Sequence, residues 1–265
     1  MLIFLFLFYL KIMYGIIILV KVMKIKIKDT LVNYIQYGKG KDVILLHGWG
    51  QNIEMMKPIG DNLANSFRIT IIDFPGFGES EEPSEAWSIS DYADMLEILV
   101  KELKIKKPIM MGHSFGGRVA IRYSANNPIE KLVLFGSPCV RLQQKQPLKV
   151  RVLKKLKTLP GMDKFGEFMK KYIGSRDYKA ASPMMRQILV NTVNEDLSAY
   201  ASKIEESTIL IWGDNDTEAP IEEAKMLEKI MPDAALIVLP GTHYAYLENL
   251  GQVLNILHSF LSGGV

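Results

Sequence analysis

The sequence has very little cysteine and no histidine spacing that is typical of a metal site. Cys139 is the only cysteine among 265 residues, so no disulfide can form within the chain, and zinc sites built on several thiolates are excluded. The four histidines, His47, His113, His243 and His258, show no HExxH or other metal-ligand spacing. We therefore expect no metal site. The scarcity of cysteine fits a reducing compartment, and we expect a cytoplasmic protein.

The sequence also lacks internal repeats and, beyond its N-terminus, low-complexity tracts. Its composition, 48% hydrophobic and 23% charged, excludes a disordered or collagen-like chain. A length of 265 residues is enough for two domains, or for one large α/β domain with an insertion. The net charge is only +3, so the composition does not favour nucleic acid as a partner.

The positive charge is concentrated in one segment, residues 141–179. This basic segment contains twelve Lys and Arg residues against three Asp and Glu residues, a local balance of +9. Such a balance favours an anionic substrate, a carrier protein or a membrane surface as a partner. The alternative is a lysine-rich face that contacts only solvent.

The first 22 residues are strongly apolar. Two apolar runs, residues 1–10 and 12–20, are separated by Lys11. About 20 apolar residues can span a membrane as a helix, although a central lysine costs roughly 2.5–3.5 kcal/mol. We interpret residues 1–22 as an extension ahead of a true start at Met23, as a membrane anchor, or as a buried or exported segment. None of these interpretations gives the segment a catalytic role.

From residue 23 onward, strand patterns alternate with helix patterns. Short apolar or β-branched runs bounded by glycine, proline or aspartate are typical of buried parallel strands. The alternation predicts an α/β fold, a doubly wound and mostly parallel sheet. The predicted strands are 24–28 and 32–37, which form a hairpin, then 43–46, 69–72, 107–111, 131–135, 208–212 and 236–239; the predicted helices are 90–103, capped by Ser90, then 115–126, 221–231 and 249–261.

The alternation stops between residues 141 and 206. This stretch has helical periodicity and no convincing strand, and it is interrupted at Pro147, Pro160, Gly174 and Pro183. We interpret residues 141–206 as a helical cap inserted into an α/β core that consists of residues 23–140 and 207–265. A cap in this position covers the cavity of the core, so the basic segment is expected near its entrance.

The sequence GHSFG, residues 112–116, lies between a predicted strand and a predicted helix. In that setting the G-x-S-x-G motif places its serine on a sharp, strained turn, where the hydroxyl can act as a nucleophile. Small residues on both sides let the backbone pack closely at the turn. Ser114 is therefore the candidate nucleophile.

A serine hydroxyl needs a base, and the motif predicts an acid and then a histidine later in the chain. His243 follows the strand at 236–239, while Asp214 and Asp216 follow the strand at 208–212. The carboxyl ends of parallel strands share one edge of the sheet, so these side chains are expected to meet. We predict His243 as the general base, and the spacing leaves both aspartates open as the acid.

The other three histidines fit the role of base less well. His47 precedes the nucleophile and is out of order, and His258 is expected on the surface of the last helix. His113 is adjacent to Ser114 and is expected to point elsewhere.

An acyl transfer also needs hydrogen-bond donors for the developing oxyanion. One is expected to be the backbone N–H of Phe115, the residue after the nucleophile. The glycine-rich sequence HGWG, residues 47–50, follows an earlier strand and offers the backbone N–H of Trp49 as the second. A plain glycine-rich turn is the alternative for this loop.

Five motifs together resemble the α/β-hydrolase superfamily over about residues 30–262. They are HGWG at 47–50, DFPGFGES at 73–80, GHSFGG at 112–117, GDND at 213–216 and GTH at 241–243. In such relatives the acid is the fourth residue of the G-x-x-D loop, which implies Asp216. The resemblance also implies that residues 73–80 form a structural loop beside the site. The first loop and residues 136–139 are similar to pimeloyl-carrier-protein methyl ester esterases, which commonly have Trp where this chain has His113.

The resemblance implies a serine hydrolase with a Ser114–His243–Asp216 triad and no cofactor. A carboxylesterase-type enzyme, which cleaves an ester or related acyl bond through an acyl-enzyme, is the leading expectation. A carbon–carbon bond hydrolase of the ring-cleavage-product type is one alternative. Another is a non-hydrolytic ligand-binding protein, because a fold does not dictate function.

Overall fold

One nine-stranded sheet organises the part of the chain that the structure describes. The computed structural model describes residues 5–13, 16–141 and 181–263. The strands are β1 Leu5–Met13, β2 Ile16–Ile27, β3 Thr30–Gly38, β4 Lys41–Leu46, β5 Phe67–Ile72, β6 Ile109–His113, β7 Lys131–Phe135, β8 Thr208–Gly213 and β9 Ala234–Leu239.

The strands run across the sheet in the order β1-β2-β3-β5-β4-β6-β7-β8-β9. The β1–β2, β2–β3 and β3–β5 pairs are antiparallel, and every pair from β5 to β9 is parallel. The predicted α/β fold with a mostly parallel sheet is therefore confirmed. It is the α/β-hydrolase architecture that the motifs imply.

Helices cover both faces of the sheet. Neighbouring side chains of a strand point to opposite faces, and those of residues 43–46 in β4 are fully buried on both. Ile44 and Leu46 belong to the core that includes α2 and α3, whereas Val43 and Leu45 belong to the core that includes α1 and α8. In the described residues the helices are α1 Ile53–Leu63, α2 Ile89–Glu102, α3 Phe115–Ser124, α4 Pro183–Val193, α5 Ser198–Ala201, α6 Ile221–Ile230, α7 Ala245–Glu248 and α8 Leu250–Leu261.

Helix α2 begins one residue earlier than predicted, and its N-cap lies two residues earlier. Its N-cap is Ser88 rather than Ser90: the Ser88 hydroxyl accepts the Asp91 N–H at 3.3 Å, and the Asp91 carboxylate accepts the Ser88 N–H at 2.9 Å. This reciprocal pair is a capping box, which satisfies two backbone donors at once. Ser90 instead accepts a hydrogen bond from Arg122 Nε at 3.1 Å.

The N-terminal residues form strands. The predicted strand at 24–28 is the end of the longer β2, which pairs with β1 on one side and β3 on the other. The described residues among the first 22 lie in β1 and β2. Among the residues that the structure describes, no helix is both long enough and apolar enough to cross a membrane.

Much of the predicted cap lies outside the described residues, and so does the basic segment apart from Arg141. Residues 181–206 contain α4 and α5 and no strand. The chain leaves the core at residues 138–141 and returns at residues 194–197, which we call the two stems. The Leu197 N–H donates to the Cys139 carbonyl at 2.9 Å, and the Arg118 guanidinium donates to a carbonyl in each stem, those of Pro138 and Glu195.

Candidate active site

Ser114 occupies a sharp turn between β6 and α3. Its backbone has φ 51° and ψ −113°, a conformation that residues other than glycine rarely adopt. The turn brings α3 so close to β4 that a Cβ at Gly116 would lie 2.3 Å from the Leu46 carbonyl oxygen. The Ser114 N–H donates to the Phe135 carbonyl at 2.9 Å, which ties the turn to β7. The strained turn is the local structure that the motif predicts.

His243 and Asp216 form a hydrogen-bonded pair beyond the ends of β9 and β8. His243 Nδ1 lies 2.8 Å from Asp216 Oδ2, and the two side chains are only 5% and 1% exposed. The other oxygen of Asp216 accepts the backbone N–H groups of Glu218 and Ala219 at 2.9 and 2.8 Å. The carboxylate is therefore held on both sides, and it directs Nδ1–H inward so that Nε2 is left to act as a base.

The neighbouring carboxylate, Asp214, does not contact His243 in this way. Its Oδ1 accepts the Gly241 N–H at 2.9 Å and the Asn215 side-chain amide at 2.8 Å. Asp214 therefore stabilises the loop that leads to His243. Of the two aspartates that the spacing left open, the structure brings Asp216 to the histidine.

Ser114, His243, Trp49 and Phe115 line one cavity of about 480 Å³. Phe115 is the first residue of α3, so its N–H has no partner within the helix. Among the described residues, neither the Trp49 N–H nor the Phe115 N–H has a hydrogen-bond acceptor. Both predicted oxyanion donors therefore belong to residues at the cavity that holds the nucleophile, and both are available to a ligand.

The loop that carries Trp49 is fixed by its neighbours. The Gly48 N–H donates to Gln51 Oε1 at 3.0 Å, and the buried His47 ring bridges the Gly48 carbonyl, 2.7 Å from Nδ1, and the Phe74 N–H, 3.0 Å from Nε2. Burial lowers the pKa of His47 to about 4, so the ring is neutral. His47 is a structural residue of this loop, in agreement with its place outside the predicted triad.

The loop of residues 73–80 is held mainly through Asp73. Its carboxylate accepts hydrogen bonds from Asn33 Nδ2 at 2.8 Å and from the backbone N–H groups of Ile53 and Glu79 at 2.7 and 2.9 Å. These bonds join β3, α1 and the loop itself. They give Asp73 the structural setting that the resemblance implies.

Sequence reasoning missed the part that Gly136 takes in the site. This residue follows β7 with φ +47°, and a Cβ there would lie 3.1 Å from Asp216 Oδ2 and 3.2 Å from His243 Nδ1. The absence of a side chain leaves room for the Asp216–His243 pair. The only sequence signal is a glycine directly after a strand end.

Sequence reasoning also missed the contact that His113 makes. Its ring is buried, and Nε2 lies 3.0 Å from the His243 carbonyl oxygen. Burial, and then the neighbouring His243, lower the pKa of His113 to about 3. His113 therefore contacts the main chain of His243, the candidate base.

Charged side chains also line the cavity. Arg118 is buried and donates to the two stems, and Arg141 lies at the cavity with its guanidinium on Asn194 Oδ1 at 2.6 Å. Glu218 Oε2 is 3.7 Å from His243 Nε2, although its side chain is 62% exposed. Burial raises the pKa of Glu223 to about 7, against the opposing effect of Arg118. Charged side chains therefore share the cavity lining with apolar ones such as Trp49 and Phe115.

The loop before His243 is held by Glu248. Its carboxylate accepts the Thr242 N–H at 2.8 Å and the Thr242 hydroxyl at 2.6 Å. A Cβ at Gly241, which has φ +138°, would lie 2.1 Å from the same carboxylate. Glu248 is the last residue of α7, and its contacts stabilise the loop.

Comparison with known proteins agrees with this architecture. A family model described as alpha/beta hydrolase fold matches residues 42–158. Among the relatives, the AB hydrolase superfamily protein YisY of Bacillus subtilis strain 168 is 26% identical, over 84% of this chain and 92% of that protein. A pimeloyl-[acyl-carrier protein] methyl ester esterase of Aliivibrio fischeri strain MJ11 is 23% identical, over 85% of this chain and 95% of that protein.

Solved structures share the fold at low sequence identity. A membrane phospholipase A superposes with a TM-score of 0.75 at 19% identity, over 92% of this chain and 86% of the other. The enol-lactonase of Burkholderia xenovorans LB400 superposes with a TM-score of 0.72 at 20% identity, over 90% of this chain and 99% of the other. At such identities the likeness shows the fold alone.

Proposed function

We propose that this chain is a member of the α/β-hydrolase superfamily and a serine hydrolase of the carboxylesterase type. In this proposal it cleaves an ester or related acyl bond through a covalent acyl-enzyme, with Ser114 as nucleophile, His243 as base and Asp216 as the acid. One observation carries the proposal: the buried Asp216–His243 pair lies at the same cavity as the strained Ser114 turn.

In the first half of the reaction, the Ser114 hydroxyl attacks the carbonyl carbon of the ester. His243 Nε2 takes the hydroxyl proton and then gives it to the departing alcohol oxygen. Asp216 holds the imidazole in the required tautomer and stabilises the imidazolium that forms. The 2.8 Å contact and the near-complete burial of both side chains support this assignment.

The negative charge on the carbonyl oxygen needs donors during the attack. The N–H groups of Trp49 and Phe115 are proposed to provide them, because both residues line the cavity and neither amide has an acceptor among the described residues. In comparable enzymes the loss of one such donor costs about 10²–10³ in kcat. In the second half, water attacks the acyl-enzyme by the same route in reverse. Side chains, amides and water are sufficient for every step.

The cavity and the relatives both support an ester substrate. A volume of about 480 Å³ lies within the range of small-ligand sites, roughly 300–1,000 Å³. One group of relatives carries the name of a methyl ester esterase. We propose a small-molecule ester as the substrate. Because the segment at 141–179 is strongly basic, we also propose an anionic substrate, a carrier protein or a membrane surface as its partner.

The experiment that tests this proposal compares the wild-type chain with Ser114→Ala on p-nitrophenyl esters of increasing acyl length. We expect steady turnover by the wild type and a loss of about 10⁶ in kcat in the variant, because the triad acts as a unit. Ser84→Ala, at an exposed serine in a loop, is the matched control and is expected to keep full activity.

A second readout identifies the nucleophile directly. An organofluorophosphonate is expected to add one covalent adduct at Ser114 in the wild type and none in Ser114→Ala, as measured by intact mass and peptide mapping. Equal ester turnover in the wild type and Ser114→Ala would refute the assignment of Ser114. Reversible ester binding without turnover or adduct would favour a binding protein on this fold.

A further inference from the structure

His113 makes a contact that joins the nucleophile turn to the base. The residue directly precedes Ser114, and its Nε2 lies 3.0 Å from the carbonyl oxygen of His243, 130 positions later in the chain. A carbonyl can only accept a hydrogen bond, so Nε2 carries the proton and donates it. The hydrogen bond therefore ties the main chain of the candidate base to the residue beside the candidate nucleophile.

The His113 ring is held firmly in this position. It is fully buried, and its centroid lies 4.8 Å from the His243 ring, 4.8 Å from the Tyr246 ring and 5.4 Å from the Tyr244 ring. A ring packed on three others has little freedom to rotate. A buried hydrogen bond from such a ring fixes the carbonyl that accepts it more strongly than an exposed one does.

The opposite edge of the ring faces the loop that carries Trp49. His113 Nδ1, which carries no proton in the neutral ring, lies 3.3 Å from Gln51 Oε1, and that oxygen accepts the Gly48 N–H at 3.0 Å. A Cβ at Gly48 would come within 2.8 Å of His113 Nδ1. The ring thus lies between the loop of the proposed oxyanion donor and the loop of the proposed base.

We propose that His113 is a positioning residue: through its Nε2–H bond to the His243 carbonyl it sets the separation between Ser114 and the imidazole of His243. This inference rests on the proposed function. His113 touches neither substrate nor the reacting atoms and acts only through His243. A relaxed separation lowers the rate of proton transfer from Ser114 and leaves substrate binding nearly unchanged, since the cavity-lining residues other than His243 stay in place.

The test uses two variants of similar length and opposite hydrogen-bonding capacity. Gln at position 113 can place an N–H donor near the position of Nε2, whereas Met fills a similar volume and cannot donate. We expect His113→Met to lower kcat by about 10- to 100-fold with KM within about twofold of the wild type, and His113→Gln to recover kcat to within about threefold. If His113→Met and His113→Gln have equal melting temperatures, then recovery of kcat in His113→Gln alone separates positioning from a general structural role.

Crystal structures of both variants give a readout that does not depend on turnover. The distance from Ser114 Oγ to His243 Nε2 is expected to lengthen by about 0.5 Å or more in His113→Met and to stay at the wild-type value in His113→Gln. Wild-type kcat in His113→Met, or an unchanged distance there, would overturn the inference. Absence of Ser114-dependent turnover in the wild type would refute the proposed function instead, and the crystallographic distances would still decide whether His113 sets the separation.

Discussion

Gly136 offers a test of how closely the Asp216–His243 pair is confined. Replacing it with alanine adds one methyl group, 3.1 Å from Asp216 Oδ2 and 3.2 Å from His243 Nδ1. These two atoms make the 2.8 Å contact of the pair. Asp216 cannot move freely, because its other oxygen is bonded to the backbone of residues 218 and 219.

The size of the effect follows from two separate costs. Backbone at φ +47° is unfavourable for alanine by about 1–2 kcal/mol, which lowers the melting temperature by roughly 2–8 °C in a chain of this size. The Asp216 and His243 side chains must also move by a few tenths of an ångström to make room for the methyl group. A displacement of 1 Å can cost about 10²-fold in rate, so we expect kcat to fall by about 3- to 10-fold with little change in KM.

The assay is ester hydrolysis at a temperature where the wild type and Gly136→Ala are both folded. Gly263→Ala is the matched control, because Gly263 has φ +75° but no atom within 4 Å of the added Cβ. The control is expected to lose stability and keep wild-type kcat. If Gly136→Ala also keeps wild-type kcat while losing stability, then the methyl group does not displace the pair, and our account of Gly136 is wrong.

Two further predictions concern the acid and the response to pH. Asp216→Asn is expected to lower kcat by about 10⁴-fold, because the amide cannot stabilise the imidazolium. Asp214→Asn keeps the oxygen that accepts the Gly241 N–H, so its kcat in the same ester assay should stay within about threefold of the wild-type value. Equal losses in the two variants would contradict the choice of Asp216. Burial lowers the pKa of His113 from its ordinary value of 6.5 to about 3. Between pH 3 and pH 6.5 the unfolded chain therefore binds a proton at His113 that the folded chain does not. The free energy of unfolding consequently falls as the pH drops below 6.5. Urea unfolding should therefore show that the loss of stability from pH 7 to pH 5 is about 2 kcal/mol smaller in His113→Gln than in the wild type, and an identical loss in both would refute a buried, neutral His113.

The sheet could be predicted because its parallel strands are short apolar runs that need no tertiary information. The strand at 131–135 has the predicted bounds, and most of the others differ by a few residues at their ends. Helix α1 was not predicted, since Pro58 in its interior is a residue that normally ends a helix. The cap of α2 was placed on the wrong serine because Ser88 and Ser90 both precede the apolar face.

Only the parts of the candidate site that lie in local sequence motifs could be predicted. Ser114 and His243 follow strand ends in the expected order, but Asp214 and Asp216 share one loop, and only the folded loop shows which carboxylate meets the histidine. The contacts of His113 and Gly136 with the loops of His243 and Asp216 join positions about 80 to 130 residues apart. No local pattern in the chain contains that information.

The two stems have a consequence for how proteins of this architecture can diversify. Any segment inserted between them begins and ends at neighbouring points, which Arg118 and the Leu197–Cys139 hydrogen bond hold together. Doubling the length of a flexible loop between fixed ends costs only about 0.6 kcal/mol. Inserts of different length and composition can therefore be exchanged as modules without altering the turn at Ser114 or the pair at His243. Selection can then vary what enters the cavity independently of the chemistry carried out inside it.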